Sequence, residues 1–294
     1  MSEKIALTTK NIQEEDVRSA VREHYGQIAE QNISNPVSCC SPQSDGSGGC
    51  CTPGDEPATD AFIRLYETPE VMNLPVEVTA LSLGCGDPVT LASLDAGLTV
   101  LDLGSGGGID CFLAAKQVGP QGFVIGVDMT PQMLEKARRN QARLGAKNVD
   151  FRLGEIEHLP VADSSVDVII SNCVINLSPD KPQVFREAFR VLKPGGRLAV
   201  SDIVTDGPLP PEIKSSLSAW AGCIAGAMDA RDYMGAIAEA GFQEVELTPV
   251  FMDKADIDEA AAQLDIDVTG EGESLYQAVY SAKVRAIKPS IQDQ

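Results

Sequence analysis

The sequence predicts an α/β protein with a doubly wound, Rossmann-like sheet, and three observations support this prediction. From Thr99 onward, short apolar runs alternate with segments of helical periodicity. The runs are continuously apolar, as expected for parallel strands that are covered on both faces. A glycine-rich segment, Gly104–Gly108, separates the first apolar run from the first helical segment. In open α/β sheets, ligands bind at this position.

The alternation gives the order of strands and helices in the predicted sheet. Strands are predicted at Val100–Leu103, Val124–Asp128, Asp150–Leu153, Val166–Ser171, Arg197–Ile203, Gln243–Val250 and Ala278–Lys288. Helices are predicted at Ile109–Val118, Pro131–Leu144, Lys181–Leu192, Pro210–Met228 and Ala230–Ala240. The result is a seven-stranded sheet with helices on both faces.

The chain before this sheet has a different character. Glu14–Gln31 is predicted as an amphipathic helix, because its apolar residues recur at helical spacing. Ser34–Pro57 is rich in Ser, Gly and Pro and is predicted as a mobile loop, followed by a short helix at Ala58–Tyr66 and a turn at Leu81–Pro88. We expect three parts, which are an N-terminal helix with a cysteine-rich loop (1–75), a ligand-binding core (76–205), and C-terminal helices with the closing strands (206–294).

Composition and charge exclude several classes of function. The 294 residues are 43% hydrophobic and 22% charged, which is ordinary for a soluble globular protein. No apolar signal region opens the chain and no apolar run could span a bilayer, so we expect a cytoplasmic protein. The net charge of −20 repels phosphate groups, so neither nucleic acid nor an anionic membrane is an expected partner.

The eight cysteines are more than packing requires in such a chain. Two adjacent pairs and four isolated residues make up the set, namely Cys39-Cys40, Cys50-Cys51, Cys85, Cys111, Cys173 and Cys223. A reducing compartment argues against a disulfide framework. Structural zinc is disfavoured, because no paired CxxC motifs occur and adjacent cysteines fit one tetrahedral shell poorly. Cys111 lies in a predicted helix, where burial in the core is the favoured interpretation.

The glycine-rich segment favours one class of cofactor. A dinucleotide-binding fingerprint starting at Gly104 would need a third glycine where Ile109 stands. The segment instead begins with Asp102 and resembles the first motif of S-adenosylmethionine-dependent methyltransferases, whose cofactor is cationic. Asp128 ends the next strand, where a carboxylate can accept hydrogen bonds from both ribose hydroxyls. Gly154–Glu157 follows the third strand, where such enzymes contact the adenine.

The segment after the fourth predicted strand bears on what is methylated. Methyltransferases of amino groups often carry an Asn/Asp-Pro-Pro-aromatic motif there, but this chain has Cys173 at the first proline position. Hydroxyl methylation usually needs a general base, and the only histidines are His24 and His158, of which His158 is expected at the surface. Trivalent arsenic bound to thiolates is a nucleophile that carries no proton, so it needs no base.

Several short segments then point to one family. They are Tyr25-Gly26, Cys39-Cys40, Gly84-Cys85-Gly86, Asp128-Met129-Thr130, Ser171–Leu177, Pro179-Asp180-Lys181, and Trp220 with Gly222-Cys223. Together they resemble arsenite methyltransferases, over most of the chain from Val17 to Val250. The resemblance implies that Cys85, Cys173 and Cys223 bind arsenic, and that Cys40 is a redox partner. Cys50-Cys51 has no family counterpart, so the redox partner among the four N-terminal cysteines stays open.

The same resemblance implies a cofactor site and partners. S-adenosylmethionine is the expected cofactor, and the residues expected to bind it are Tyr25, Gly84, Asp102, Gly104, Ser105, Gly106, Asp128, Met129, Ile156, Glu157 and Asn172. Arsenite and methylated trivalent arsenicals are the expected substrates, with thioredoxin or glutathione as reductant. Two alternatives stay open, which are a carbon or oxygen methyltransferase of the quinone-biosynthesis type and a non-catalytic metalloid-binding protein.

Overall fold

The structure of the protein is a computed structural model, which describes residues 14–34, 71, 74–79, 84, 86–208, 226–251 and 279–290. The helices are α1 (Glu14–Ser34), α2 (Val76–Thr79), α3 (Pro88–Ala92), α4 (Ile109–Val118), α5 (Pro131–Leu144), α6 (Lys181–Val191) and α7 (Ala230–Glu239). The strands are β1 (Thr99–Leu103), β2 (Phe123–Asp128), β3 (Val149–Leu153), β4 (Val166–Asn172), β5 (Leu192–Thr205), β6 (Met228–Asp229), β7 (Gln243–Val250) and β8 (Val279–Ile287). A 3₁₀ turn occupies Ile175–Leu177.

The strands form one mixed sheet in the order β3-β2-β1-β4-β5-β8-β7, and β6 pairs with β5 outside this path. Strands β1 to β5 are parallel, whereas β8 lies antiparallel between β5 and β7. The order reverses at β1, and the carboxyl ends of β1, β2 and β4 meet beside this switch point. Ligands bind at such a point in open α/β sheets.

Apolar side chains cover both faces of the sheet, as the continuous apolar runs predict. One face packs against α4 and α5, through residues that include Phe112, Leu113 and Leu134. The other packs against α6 and α7, where the Phe185 and Tyr233 rings meet edge to face with centroids 5.3 Å apart. These layers confirm the doubly wound prediction.

Most predicted bounds agree with the observed elements, and the differences have physical reasons. The helix predicted over Pro210–Met228 lies outside the described residues up to position 225, and its end is wrong, because Met228 pairs with Val204 and begins β6. This short strand also makes the sheet eight-stranded rather than seven-stranded. The observed β5 begins at Leu192, which pairs with Val166 before the turn at Lys193–Gly196. The predicted loop at Ser34–Pro57 and the helix at Ala58–Tyr66 lie outside the described residues.

Helix α1 lies beside the sheet, against α5 and the 3₁₀ turn. Its apolar face is buried through Val17, Val21 and Ala29, as the helical spacing predicts. None of the described helices is both long and apolar enough to cross a membrane. The position of α1 brings one of its faces to the switch point of the sheet.

Candidate active site

A pocket lies at the carboxyl ends of the parallel strands, where the sequence predicts a ligand site. Four strand ends contribute to its wall, through Gly104–Gly107 after β1, Asp128–Thr130 at β2, Gly154, Ile156 and Glu157 after β3, and Asn172–Val174 at β4. Helix α1 closes one side with Arg18, Val21 and Tyr25. The pocket is therefore assembled from the core and from the helix that precedes the cysteine-rich segment.

The pocket gathers nearly all of the predicted cofactor residues. Those that line it are Tyr25, Gly84, Gly104, Ser105, Gly106, Asp128, Met129, Ile156, Glu157 and Asn172. Asp102 instead lies beneath the wall, where it is 2% exposed and accepts a hydrogen bond from Cys111 Sγ at 3.2 Å. Burial, followed by the nearby Asp110 carboxylate, raises the pKa of Asp102 well above its ordinary value. The predicted direct contact of Asp102 with a cofactor is not supported by this position.

Two glycines allow the wall segments to approach each other. Gly104 has φ +69°, and a Cβ there would collide with Val174 on the neighbouring strand end. A Cβ at Gly84 would collide with the amide of Asn172. A side chain at Gly104 would push the β1 and β4 segments apart, and one at Gly84 would push the segment before α3 away from the end of β4.

Asp128 ends β2 and is held by backbone groups. Its Oδ2 accepts from Gly106 N at 2.9 Å, and its Oδ1 accepts from Thr130 N at 2.8 Å. Burial raises the pKa of this carboxyl, although both backbone hydrogen bonds oppose the rise. Each oxygen keeps a second lone pair, so the group can also accept from a pair of vicinal hydroxyls.

Asp110 is a pocket residue that the sequence analysis missed. It lies in the first turn of α4, is 5% exposed, and accepts from Asn172 Nδ2 at 3.2 Å. The same Asn172 nitrogen donates to Gly86 O at 2.8 Å, which ties the end of β4 to the segment before α3. An acidic residue at the first turn of the helix after the glycine segment was the signal available in the sequence.

Arg18 on α1 is a second missed residue. Its NH2 group lies 3.6 Å from Glu157 Oε1, and its Nε lies 3.9 Å from Glu155 Oε2. Arg18, Val21 and Tyr25 follow each other at spacings of three and four residues, so one helical face carries all three to the pocket. Arg18 could have been recognised in the sequence, because its spacing to Tyr25 places both residues on the same helical face.

Cys173 is the one predicted arsenic ligand within the described residues. It lines the pocket, is 5% exposed, and its backbone nitrogen donates to Ser201 O at 2.8 Å. Its φ of +57° is a left-handed conformation that non-glycine residues rarely adopt. The sulfur takes part in a disulfide in this structure, so it must be reduced before it can bind a metalloid.

Comparisons with known proteins assign the chain to a family. A methyltransferase-domain model matches residues 94–241. The arsenite methyltransferase of Halobacterium salinarum is 45% identical over 283 residues, covering 95% of this chain and 68% of that protein. The chain belongs to the arsenite methyltransferase family. The relative from Aquipseudomonas alcaligenes is 39% identical over 238 residues, covering 79% of this chain and 63% of its own length.

A solved structure of the family agrees with this assignment. It is the crystal structure of CrArsM, an arsenic(III) S-adenosylmethionine methyltransferase from Chlamydomonas reinhardtii, which matches with a TM-score of 0.60 and 36% identity. The match covers 80% of this chain and 75% of that one. The predicted fold class, the family and S-adenosylmethionine as its cofactor are confirmed. The chain spans about two thirds of the length of the curated relatives named above.

The other cysteines of the family pattern cannot be placed relative to the pocket. Cys40, Cys85 and Cys223 lie outside the described residues, as do Cys39 and the Cys50-Cys51 pair. Cys111 is fully buried and its thiol is free, which confirms its interpretation as a packing residue. Burial and the adjacent Asp102 raise the pKa of this thiol well above its ordinary value. Over the part of the chain that the structure describes, no cluster of His, Cys, Asp or Glu could hold a metal ion.

Proposed function

We propose that the chain transfers the methyl group of S-adenosylmethionine to trivalent arsenic that is held by thiolates, with Cys173 as one ligand. One observation carries this proposal, which is that Cys173 lines the same pocket as Asp128 and the glycine segment. Arsenic(III) is soft and prefers sulfur ligands. A thiol in the wall of a cofactor pocket can therefore hold the substrate in the cavity where the methyl group is offered.

The residues of the pocket suit this cofactor. Asp128 offers a carboxylate to the ribose hydroxyls, and Met129 and Ile156 offer apolar surface to an adenine ring. Asp110 places a carboxylate in the wall, which favours a cationic ligand. The cofactor supplies an electrophilic methyl group on a positively charged sulfur. We propose that Tyr25 and Arg18 on α1 cover the site and limit its contact with water.

The proposed reaction needs no general base. Both histidines, His24 and His158, are exposed and neither lines the pocket. The lone pair of thiolate-bound arsenic forms the arsenic–carbon bond while the carbon–sulfur bond of the methyl donor breaks, so no proton is removed. The contribution of the protein is then to align the two reactants, and such positioning accounts for a large share of many enzymatic rate enhancements.

Methyl transfer raises the formal oxidation state of arsenic by two, so two electrons must be returned. We propose that two protein thiols supply them and form a disulfide, which thioredoxin or glutathione then reduces. The disulfide state of Cys173 in the structure supports a role for this sulfur in thiol–disulfide exchange. A cytoplasmic location, where both reductants are present, fits this requirement. Cys40, Cys85 and Cys223 enter this proposal through the family resemblance alone.

Incubation with arsenite, cofactor and a dithiol, followed by speciation of the arsenic products, tests the proposal. We expect methylated arsenic together with one S-adenosylhomocysteine for each methyl group transferred. If the cofactor is consumed in the presence of a demethylated quinone but not in the presence of arsenite, the quinone-type alternative is favoured. Arsenite binding without cofactor consumption would favour a metalloid-binding protein.

A further inference from the structure

A charged side chain is buried directly behind the candidate arsenic site. Lys181 begins α6, is 5% exposed and does not line the pocket. A lysine is almost never this buried unless it is paired. It belongs to the Pro179-Asp180-Lys181 segment, to which the proposed chemistry assigns no role.

The ammonium group of Lys181 holds the turn that follows Cys173. Its Nζ donates hydrogen bonds to Ser178 O at 3.0 Å and to Asn176 O at 3.3 Å. Ser178 lines the pocket, and its hydroxyl donates to Glu157 Oε1 at 2.6 Å. Lys181 is therefore bonded to the backbone that joins Cys173 to the cofactor side of the pocket.

A counter-charge on β5 completes the arrangement. Asp202 is fully buried and accepts from Tyr233 Oη at 3.0 Å and from Ile203 N at 3.0 Å. Burial raises the pKa of Asp202 to about 7, and the positive charge of Lys181 is the largest influence that opposes the rise. Asn176 is also fully buried and donates to Ile203 O. Asn176 thus bonds the turn to β5, and the charge of Lys181 acts on the Asp202 carboxyl of the same strand.

The backbone of Cys173 needs such support. A non-glycine residue with φ +57° is strained, and this conformation persists only where the surroundings determine it. The hydrogen bond to Ser201 O fixes one side of Cys173. The bonds from Lys181 fix the turn on the other side. Removing them leaves the strained residue free to relax and its sulfur free to move out of the wall.

We propose that Lys181, supported by Asp202 and Tyr233, is a positioning residue that keeps the Cys173 sulfur in the pocket wall. This inference rests on the proposed function, because Cys173 matters to the reaction only as an arsenic ligand. A purely structural role for the buried charges would instead make the cofactor and arsenic sites equally sensitive to their loss.

The test uses the double variant Lys181→Met with Asp202→Asn, since removing one charge alone would leave the other buried and unpaired. Three quantities are measured, which are the alkylation rate of reduced Cys173, followed by peptide mass spectrometry, the Kd for arsenite and the Kd for the cofactor. We expect alkylation to be at least about tenfold faster and arsenite binding about tenfold weaker, which is about 1.4 kcal/mol. The Kd for the cofactor should change by less than about threefold, because Asp128 and the glycine turn are untouched.

Two further variants and an internal reference complete the experiment. Lys193→Met removes a half-exposed lysine of β5, paired with Asp167 at 2.8 Å, and should leave all three quantities unchanged. In Lys181→Arg the alkylation of Cys173 should stay as slow as in the wild type, because arginine keeps a charged hydrogen-bond donor at this position. Cys111 is fully buried and provides the slow reference in the same digest.

Wild-type alkylation of Cys173 in the folded double variant would overturn the proposal, and so would an equal loss of cofactor and arsenite binding. If the double variant does not fold, Tyr233→Phe carries the test, since it keeps the ring packing against Phe185 and removes one hydroxyl. Alkylation about threefold faster than wild type is expected there, and an unchanged rate would contradict the proposal. If the wild-type protein binds no arsenite, the proposed function fails, while the alkylation rates still decide whether Lys181 positions Cys173.

Discussion

The two halves of the pocket are built by different means. On the cofactor side, Asp128 is fixed by the backbone nitrogens of Gly106 and Thr130, which lie within 22 residues of it in sequence. On the side of Cys173, which is the proposed arsenic side, the end of β4 is fixed by side chains and by distant partners. Asn172 donates to Gly86 O, 86 residues away in sequence, and the charge of Lys181 acts on the buried Asp202 carboxyl of β5.

This difference predicts how each half responds to change. A backbone cradle depends on glycine and on local turns, so a substitution there removes one contact and leaves the remainder in place. The arsenic side depends on one strained residue and on a connected polar network, in which the loss of one member affects the others. We therefore expect graded effects on the cofactor side and large effects on the arsenic side.

The largest effect is expected for Cys173→Ser, which should abolish methylation of both arsenite and monomethylarsonous acid. Serine is a poor ligand for a soft metalloid, so the substrate would no longer be held in the pocket. Product speciation measures this, and cofactor binding should persist. Cys111→Ser is the matched control, because that thiol is buried and outside the pocket. Wild-type rates for Cys173→Ser on both substrates would refute the arsenic-site assignment and favour the quinone-type alternative.

The number of thiols required separates the other cysteines. Arsenite has three exchangeable oxygens, whereas monomethylarsonous acid keeps only two exchangeable positions. We predict that Cys85→Ser, and the double change Cys39→Ser with Cys40→Ser, abolish methylation of arsenite but retain methylation of the monomethylated substrate when a dithiol is supplied. Cys223→Ser should lose both activities. If Cys85→Ser loses activity toward both substrates, Cys85 belongs to the thiols that both substrates require.

The cofactor side should respond in a graded way to Asp128→Ala. Losing charge-assisted hydrogen bonds to the ribose should weaken cofactor binding by about 1.5–3 kcal/mol, or by roughly tenfold or more. Titration calorimetry would measure this, and arsenite binding should be unchanged. Asp150→Ala on β3 is the control, because its half-exposed carboxylate pairs with Arg152 outside the pocket. Unchanged cofactor affinity in Asp128→Ala would remove this strand end from the binding site.

The same contrast explains how far the sequence alone leads. The cofactor side could be predicted, because glycines, the acid at the end of β2 and the strand pattern are local signals. The bounds of α4 and α5 agree with their predicted ranges for the same reason. The short strand β6 could not be predicted, since its pairing with Val204 is a long-range contact. Neither could the interaction of Lys181 with Asp202, because topology and burial bring these two residues together and no spacing in the sequence signals it.

A smaller effect is expected where α1 meets the pocket. Arg18 lines the pocket and lies near Glu155 and Glu157, whereas Arg22 lies near Glu155 only, and its side chain is 40% exposed. We predict that Arg18→Ala weakens cofactor binding by roughly threefold to tenfold, because the helix loses a partly buried ion pair that holds it over the site. Arg22→Ala should have little effect, as is usual for exposed pairs. Equal affinities in the two variants would show that α1 does not cover the cofactor.

The last expected effect is on stability rather than on binding or activity, and it tests whether the proposed arsenic side contains a buried titrating carboxyl. The pKa of Asp202 is about 7 in the folded protein, against about 3.8 when it is exposed. The folded state therefore binds more protons than the unfolded state between these values, so the free energy of unfolding falls as pH rises from about 4 to about 7, by at most about 1.4 kcal/mol per pH unit.

In Asp202→Asn this contribution is absent, and all other titrating groups are common to both proteins. Urea unfolding at several pH values should therefore give a shallower decline for the variant than for the wild type over that range. Above pH 8 the carboxyl is ionised in both the folded and the unfolded protein, so the two curves should run parallel there. Parallel curves from pH 4 to 7 would mean that Asp202 is ionised throughout. In that case its interaction with Lys181 would be a fixed ion pair, and the arsenic side would be held by charge as firmly at pH 5 as at pH 8.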